Sequence, residues 1–321
     1  MQHLDNMAFF EDTEEEKVNN SLWVEKYRPR KLSEYVGNQH LKEKVTDYLE
    51  SGEIPHLLFF GKAGTGKTTL AKLIVNSIDC DHIIINASDE NNVDTVRNKV
   101  KGFASTVGFK DMKIIILDEF DYMTPNAQAI LRNLMETFSR HCRFILTCNY
   151  VEKVISPIRS RTQEFQIVPP TKKDVAVQIS QILGKEGIEF QPKDLVPIID
   201  SSYPDIRKII NTCQLNSSKG QLKLDTTSVI DSDLKSKIVE ILKGNDSKPN
   251  KWKNIRQAVA VSRTQDFTEL YTFLYEKVGE YGGSNTSNII LILSESQSKD
   301  ALVVDKEITF MSCIIQIVGI L

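Results

Sequence analysis

The chain has 321 residues, 40% of them hydrophobic and 26% charged, enough for two or three domains and a sizeable core. No apolar run approaches the length needed to span a bilayer, so no membrane is expected among its partners. The net charge of −3 excludes a globally basic nucleic-acid binder, and any such surface must be a local basic patch.

The N-terminal stretch MQHLDNMAFFEDTEEEK lacks a basic start, a long apolar run and a cleavage site, so it is not read as a secretion signal. Its acid cluster reads as a solvated, disordered tail over residues 1–20, with ordered structure beginning near Ser21. Five cysteines (Cys80, Cys142, Cys148, Cys213 and Cys313) contain no CxxC pair, and the five histidines are scattered singly. That usage points to reduced, mostly buried thiols in a cytoplasmic compartment, and away from structural zinc.

Residues 21–168 alternate short apolar runs with helical patterns. HLLFF, HIIIN, KIIIL and RFILTC read as strands, with EFQIV as a short fifth, because near-continuous Ile, Leu, Phe and Val suit strands covered on both faces. TTLAKLIVNSI and AQAILRNLMETF carry helical spacing between them. The pattern is α/β with a mainly parallel sheet. After Pro169-Pro170 the texture changes: residues 169–228 hold helical stretches only, and a polar stretch, LKLDTTSVIDSD, leads into a last helical block over 229–321. Three units are therefore expected: an α/β domain, a small helical domain and an all-α C-terminal domain.

Gly61-Lys-Ala-Gly-Thr-Gly-Lys67-Thr68 fits GxxxxGK[ST], with a strand before it and a helix after it. Glycines let the backbone curl so that successive N–H groups point inward and form a nest for phosphate oxygens. The helix that follows turns its positive end to the same place. In such a loop Gly64, Thr65, Gly66 and Thr69 contribute backbone. Lys67 reaches the β- and γ-phosphates, and the Thr68 hydroxyl ligates Mg²⁺. Further on, the apolar run KIIIL ends in Asp118-Glu119-Phe120-Asp121, which delivers carboxylates to the same sheet edge. Asp118 is expected in the metal shell, and Glu119 is expected to orient and activate the attacking water. Together the two motifs predict hydrolysis of ATP or GTP.

The residues then carry a family resemblance. Leu22-Trp23-Val24-Glu25-Lys26-Tyr27-Arg28-Pro29 resembles the box that opens clamp-loader ATPases of the AAA+ superfamily. NASDENNVDTVRNKVKGFAS, DEFDYMTPNAQAILRNLME and SPIRSRT are similar, in the same order, to replication factor C small subunits. YPDIRK and the short C-terminal block resemble the large clamp-loader subunit of T-even-type tailed phages. The likeness is specific over residues 21–210 and weak beyond about 230.

This resemblance implies an AAA+ P-loop domain, a helical lid and a helical collar that joins subunits. It implies ATP as the nucleotide, which the loop alone does not separate from GTP. It further implies that Val24, Glu25, Lys26 and Tyr27 line the adenine site with Val36. Composition alone would instead place Trp23 and Tyr27 in a core. Asn149 matches a sensor of the γ-phosphate or lytic water. Arg161 matches an arginine that reaches a neighbouring subunit's ATP, although Thr162 stands where the family usually has cysteine. Arg207 matches a second sensor, on the lid.

Arg97, Lys99 and Lys101 match positions that face DNA inside a spiral of subunits. Arg97 and Lys101, four apart, share a helix face and Lys99 does not; a solvated charged face would explain the spacing as well. Gln128 matches a residue that couples DNA contact to catalytic geometry.

The implied partners are a sliding clamp, primer–template DNA, further copies of the chain and a companion subunit. The resulting expectation is an ATPase subunit that opens the clamp and places it on DNA during replication. Two rivals stand beside it: another AAA+ DNA machine, such as a branch-migration motor or helicase loader, and a structural loader subunit that binds ATP without turning it over. Intact Lys67, Asp118 and Glu119 argue against the last.

Overall fold

Leu57–Phe60 forms the strand β1, and its four apolar residues are buried or nearly so because the sheet is covered on both faces. The computed structural model describes residues 22–89, 93–106, 108, 110, 112–223, 226–262, 264, 267–300 and 302–321; the acidic tail expected over 1–20 lies outside them. Four more strands, β2 (Cys80–Asn86), β3 (Met112–Asp118), β4 (Cys142–Cys148) and β5 (Gln163–Gln166), complete a parallel sheet in the order β2-β3-β4-β1-β5. All five expected strands are present.

Side chains alternate across this sheet. Leu58, Ile115, Leu117, Phe144 and Leu146 pack on one face with Leu131 and Met135 of a helix over Pro125–Thr137. Leu57, Phe59, Ile114, Ile116 and Ile145 pack on the other with Leu70, Leu73 and Ile74 of a helix over Lys67–Asn76. In chain order the helices of this part are α1 (Trp23–Lys26), α2 (Gln39–Ser51), α3 (Lys67–Asn76), α4 (Val93–Ser105), α5 (Pro125–Thr137) and α6 (Ser156–Arg159). Pro125 sits in the first turn of α5 and the Thr124 hydroxyl accepts from the Ala127 N–H, a start the sequence encodes directly.

Beyond Pro169-Pro170 come α7 (Lys172–Lys185), α8 (Pro192–Ser202) and α9 (Ile206–Asn216). Thr171 caps α7 through the Asp174 N–H, and Asp205 caps α9 through the Lys208 N–H. A short antiparallel hairpin, β6 (Ser217–Ser218) with β7 (Gln221–Leu222), follows where only helices were expected. Lys219 and Gly220 both take positive φ there, the conformation a two-residue hairpin turn requires. The polar stretch after it is also more regular than expected: α10 (Thr226–Lys243) is already helical from Thr226.

The described residues divide into two compact units. The first runs to Pro192 and takes in Ser202–Leu222; the second comprises Lys193–Ser201 and Lys223–Leu321. This division is coarser than the three-part organisation read from the sequence, and it falls at Leu222 instead of residue 228.

The second unit is helical: α10, α11 (Lys248–Ser262), α12 (Thr268–Glu276), α13 (Val278–Tyr281), α14 (Thr286–Asp300) and α15 (Lys306–Ile320). Its core centres on Phe310, whose ring lies 5.0 Å from that of Phe267 and 5.5 Å, edge-on, from that of Tyr271. The apolar C-terminal stretch is α15, burying Phe310, Cys313, Ile314 and Ile317 while Ile308 and Ile315 stay exposed. Among the described residues no helix is long and apolar enough to cross a membrane, and all five cysteines are free thiols.

Candidate active site

The loop from β1 to α3 turns at the C-terminal edge of the sheet, where the strand order reverses around β1. Gly64 and Gly66 take φ of 71° and 92°, the left-handed region where a side chain is strained. Space forbids a side chain at Gly64 as well, since a Cβ there would lie 2.0 Å from Asp205 Oδ1. At Gly66 it would meet the Tyr35 ring at 3.1 Å. Gly66 is also the N-cap of α3, and no side chain caps that end, so the leading N–H groups of α3 are available to an anion.

Three neighbouring strands bring the polar groups together. From the first turn of α3, after β1, comes Lys67, 8% exposed, whose Nζ donates to the carbonyl oxygens of Gly61 (2.9 Å) and Lys62 (2.8 Å) and to Asn149 Oδ1 (2.7 Å). Burial pulls its pKa down, against the opposing pull of Asp118 and Asp121. From the end of β3 comes Asp118, which accepts the Thr68 hydroxyl at 2.7 and 2.9 Å on its two oxygens and also the Thr147 hydroxyl. From the end of β4 comes Asn149, in register beyond the Phe60–Cys148 pair.

Glu119 follows Asp118 with φ of 54°, an uncommon conformation for a residue with a side chain, which costs roughly 1–2 kcal/mol. Its N–H donates to Thr147 Oγ1 at 3.2 Å, which fixes the turn that presents its carboxyl.

Val24, Tyr27 and Val36 line the same pocket as Gly64, Thr65, Gly66, Lys67, Thr68 and Thr69. Asp118, Glu119, Asn149 and Arg207 line it too. Glu25 and Lys26 do not. Glu25 pairs with Arg28 at 2.5 Å, and Lys26 pairs with Glu186 at 2.6 Å, so their side chains are engaged elsewhere. Tyr27 shares the Glu186 carboxylate, donating its hydroxyl at 2.5 Å, while Arg28 takes the place in the lining that was expected of its two neighbours. The hydrogen bonds from Lys26 and Tyr27 hold the Glu186 carboxyl below the usual carboxylate range.

Arg161 stands apart from the pocket, donating to Glu136 and, at 2.7 Å, to the Pro157 carbonyl. Arg97, Lys99 and Lys101 are exposed on α4. Gln128 is fully buried: its amide donates to the Met123 and Lys153 carbonyls at 3.0 Å each, and its oxygen accepts from the Ile155 N–H at 2.9 Å. It thereby ties α5 to the segment that leads into α6 and on to Arg161.

Several site residues escape sequence reasoning. Asp121 is buried and accepts from the N–H groups of Asn149 and Tyr150 at 3.3 and 3.2 Å, positioning the end of β4. Its place as the third acid of the DEFD run was its only signal. Thr147, Tyr35 and Gln178 also reach the pocket, and each looks in sequence like an ordinary strand, loop or helix residue.

An uncapped helix end, a glycine cradle, a buried lysine and a carboxylate beside a threonine hydroxyl form a site for a nucleoside polyphosphate. Residues 57–170 match the ATPase family associated with various cellular activities (AAA), so the first unit carries an AAA ATPase domain. A replication factor C small subunit of Sulfolobus acidocaldarius is 43% identical over 212 residues, covering 64% of this chain and 65% of that relative. One of Archaeoglobus fulgidus is 39% identical, covering 78% and 73%, and one of Methanococcus maripaludis is 35% identical, covering 87% and 86%. The chain belongs to the replication factor C small subunit family. The Holliday junction branch migration motor RuvB of Thermotoga maritima, 16% identical, shares the fold with a TM-score of 0.54 over 78% of this chain and 91% of its own.

Proposed function

We propose that the chain is the ATPase subunit of a sliding-clamp loader, which uses ATP binding and hydrolysis to open a clamp and place it on primer–template DNA. What carries the reading is the convergence of Lys67, Thr68, Asp118, Glu119 and Asn149 on one pocket that Val24, Tyr27 and Val36 also line. Membership of the replication factor C small subunit family supplies the biological setting.

ATP binds with its phosphates on the Gly64–Thr69 loop and its base against Val24, Tyr27 and Val36. Lys67 exchanges its contacts with loop carbonyls for phosphate oxygens, an exchange favoured because the ammonium is buried and only partly compensated. Thr68 and Asp118 would hold Mg²⁺. Their hard oxygens suit that ion, which takes one or two protein ligands and completes its shell with phosphate and water. The ion supplies charge neutralisation at the phosphates. Glu119 takes the proton of the attacking water, Asn149 orients that water, and Arg207 senses the γ-phosphate from the lid.

Arg161 lies outside the pocket of its own chain and serves the ATP of a neighbouring copy, where an arginine in trans is worth about 10³–10⁵ in rate. Three functional parts follow: a nucleotide domain over 21–168, a lid over 169–228 and a collar over 229–321 that holds copies of the chain and a companion subunit together. Arg97, Lys99 and Lys101 touch the DNA backbone without reading bases. The assembly works in the cytoplasm, that of a host if the chain is phage-encoded.

The test is steady-state ATP turnover with no DNA, single-stranded DNA, blunt duplex and a recessed 3′ junction, at two salt concentrations. Preferential stimulation by the junction, weakened by salt and lost by about 10³-fold or more in Arg161→Ala, is the expected result. Equal stimulation by every DNA form would sink the loader reading and leave an ATPase of another kind.

A further inference from the structure

The two ends of the pocket differ in how fully their polar groups are engaged. At the phosphate end Lys67, Thr68, Asp118 and Asn149 bond one another. Towards the base end the aromatic hydroxyls are also engaged: Tyr27 donates to Glu186, and Tyr35 to the Thr65 carbonyl. Gln178 differs. It lines the pocket from α7, and its Oε1 is buried with no hydrogen-bond partner. A buried carbonyl oxygen without a donor is costly, and one that lines a pocket is a ready acceptor for a group bound there.

The position of Gln178 on its helix indicates what that something is. Lys185 lies seven residues further along α7, about two helical turns on, and so shares its face, and Glu186 follows it as the C-cap of the helix. Those two residues pack on Tyr27: the Lys185 ammonium sits 5.7 Å from the ring centroid and Glu186 takes the hydroxyl. The face of α7 that carries Gln178 is therefore the face turned to the expected base site, whose other walls are Val24, Val36, Ile206 and Ile210. A ligand with a donor at that end would satisfy Oε1. Adenine presents an exocyclic amine there, whereas guanine presents a keto oxygen, which would set two acceptors against each other unless the amide turned to bring its nitrogen to the base.

We infer that Gln178 is the side chain that selects adenine over guanine, its Oε1 accepting from the 6-amino group of the base. This rests on the reading of the pocket as a nucleotide site and adds to it a determinant that the phosphate loop cannot supply. Selectivity by an unpaired acceptor is a strong device, because a base lacking the amine leaves the oxygen buried and unmet.

The test is a cycle of nucleotide affinities on the full chain, with ATP, GTP and purine riboside triphosphate, which lacks the 6-substituent. The wild type and Gln178→Met, similar in length but without the acceptor, are compared, with Gln178→Glu as the variant that keeps one. Wild type is expected to prefer ATP to the unsubstituted purine nucleotide by about tenfold beyond any preference left in Gln178→Met, the size of one neutral hydrogen bond. Gln178→Glu should restore that preference. An ATP preference equal in wild type and Gln178→Met overturns the inference, as does a Gln178-dependent preference for GTP, which would mean that the amide nitrogen faces the base. In either case ATP would still bind and the proposed function would stand. Failure of all three nucleotides to bind the wild type would instead remove the nucleotide-site reading itself. Should Gln178→Met not fold, the wild-type comparison of ATP with purine riboside triphosphate still decides, since equal affinities overturn the proposal.

Discussion

The two units bury polar groups to different ends. In the first, Thr65, Lys67, Asp121, Gln128 and Thr147 are all buried around one pocket and the loops that frame it. In the second, Lys251, Ser262, Ser296 and Asp300 are buried among helices of an otherwise apolar core. The Lys251 ammonium donates to the Leu242 carbonyl at 2.9 Å, and the Ser262 hydroxyl to that of Val259 at 2.7 Å. Buried polarity around the first unit's pocket builds a site, although Lys113 of that unit also ties a helix end by donating to the Phe103 carbonyl at 2.8 Å; in the second unit it ties helix ends and turns in place. The difference implies that function and stability can be damaged separately.

The largest expected effect breaks the first unit's chemistry alone. Glu119→Gln removes a carboxylate that accepts a proton while keeping the shape of the side chain. Turnover should fall by about 10²–10⁴-fold, the range for loss of a general base. ATP affinity, measured by equilibrium binding, should hold within a few-fold, and the melting temperature should not fall. A variant that also lost ATP binding would place Glu119 in the binding of nucleotide and not in its hydrolysis.

Phe310→Ala is the mirror experiment. The side chain is fully buried between Phe267 and Tyr271, and its removal leaves a cavity that costs about 3–5 kcal/mol. The chain offers a natural readout, because its two tryptophans divide between the units: Trp23 in the first, Trp252 on α11 in the second. In Trp23→Phe and Trp252→Phe backgrounds, urea unfolding should move to lower concentration for the Trp252 signal, while ATP still binds. Loss of both signals together would mean that the units unfold as one.

How far each unit could be read from sequence follows the same line. The phosphate loop is legible because its geometry admits few residues: Gly64 tolerates neither a side chain's φ nor its volume. The strands are legible because a sheet covered on both faces needs unbroken apolar runs. The hairpin at 217–222 and the early start of α10 were not, since polar residues at the surface carry no period. At the site the placement of two expected residues has a physical cause too. Glu25 and Lys26 sit within a motif that lines the pocket, but charged side chains gain more by pairing with Arg28 and Glu186 at the surface than by entering an apolar cleft. Tertiary partners decided this, and Glu186, which lies far along the chain, gave no hint of its role. The case of Gln178 is similar: an amide in the middle of a helix becomes informative only when its oxygen is found buried and unpartnered.

The smallest effect sharpens the comparison through acid. All five histidines of the sequence lie before residue 193, so none falls in the second unit. His56, just ahead of β1, accepts the Phe144 N–H on Nδ1 at 3.1 Å and packs edge-on against that ring. Burial, with a smaller push from Arg143, lowers its pKa from 6.5 to about 4. The unfolded chain therefore binds a proton between these values that the folded chain refuses, so stability falls as pH falls through that window and is fully present above pH 6.5. The full shift would be worth about 3 kcal/mol, and partial exposure of the ring reduces the expected loss to about 2 kcal/mol. Urea midpoints at pH 7 and pH 5 should thus drop for the Trp23 signal and much less for the Trp252 signal. His56→Asn, which keeps an acceptor for the Phe144 N–H and does not titrate, should flatten that difference. If the two signals fall equally in the wild type, the acid sensitivity lies in carboxylates that each unit carries, and the first unit's burial of a neutral histidine is not what sets its response to pH.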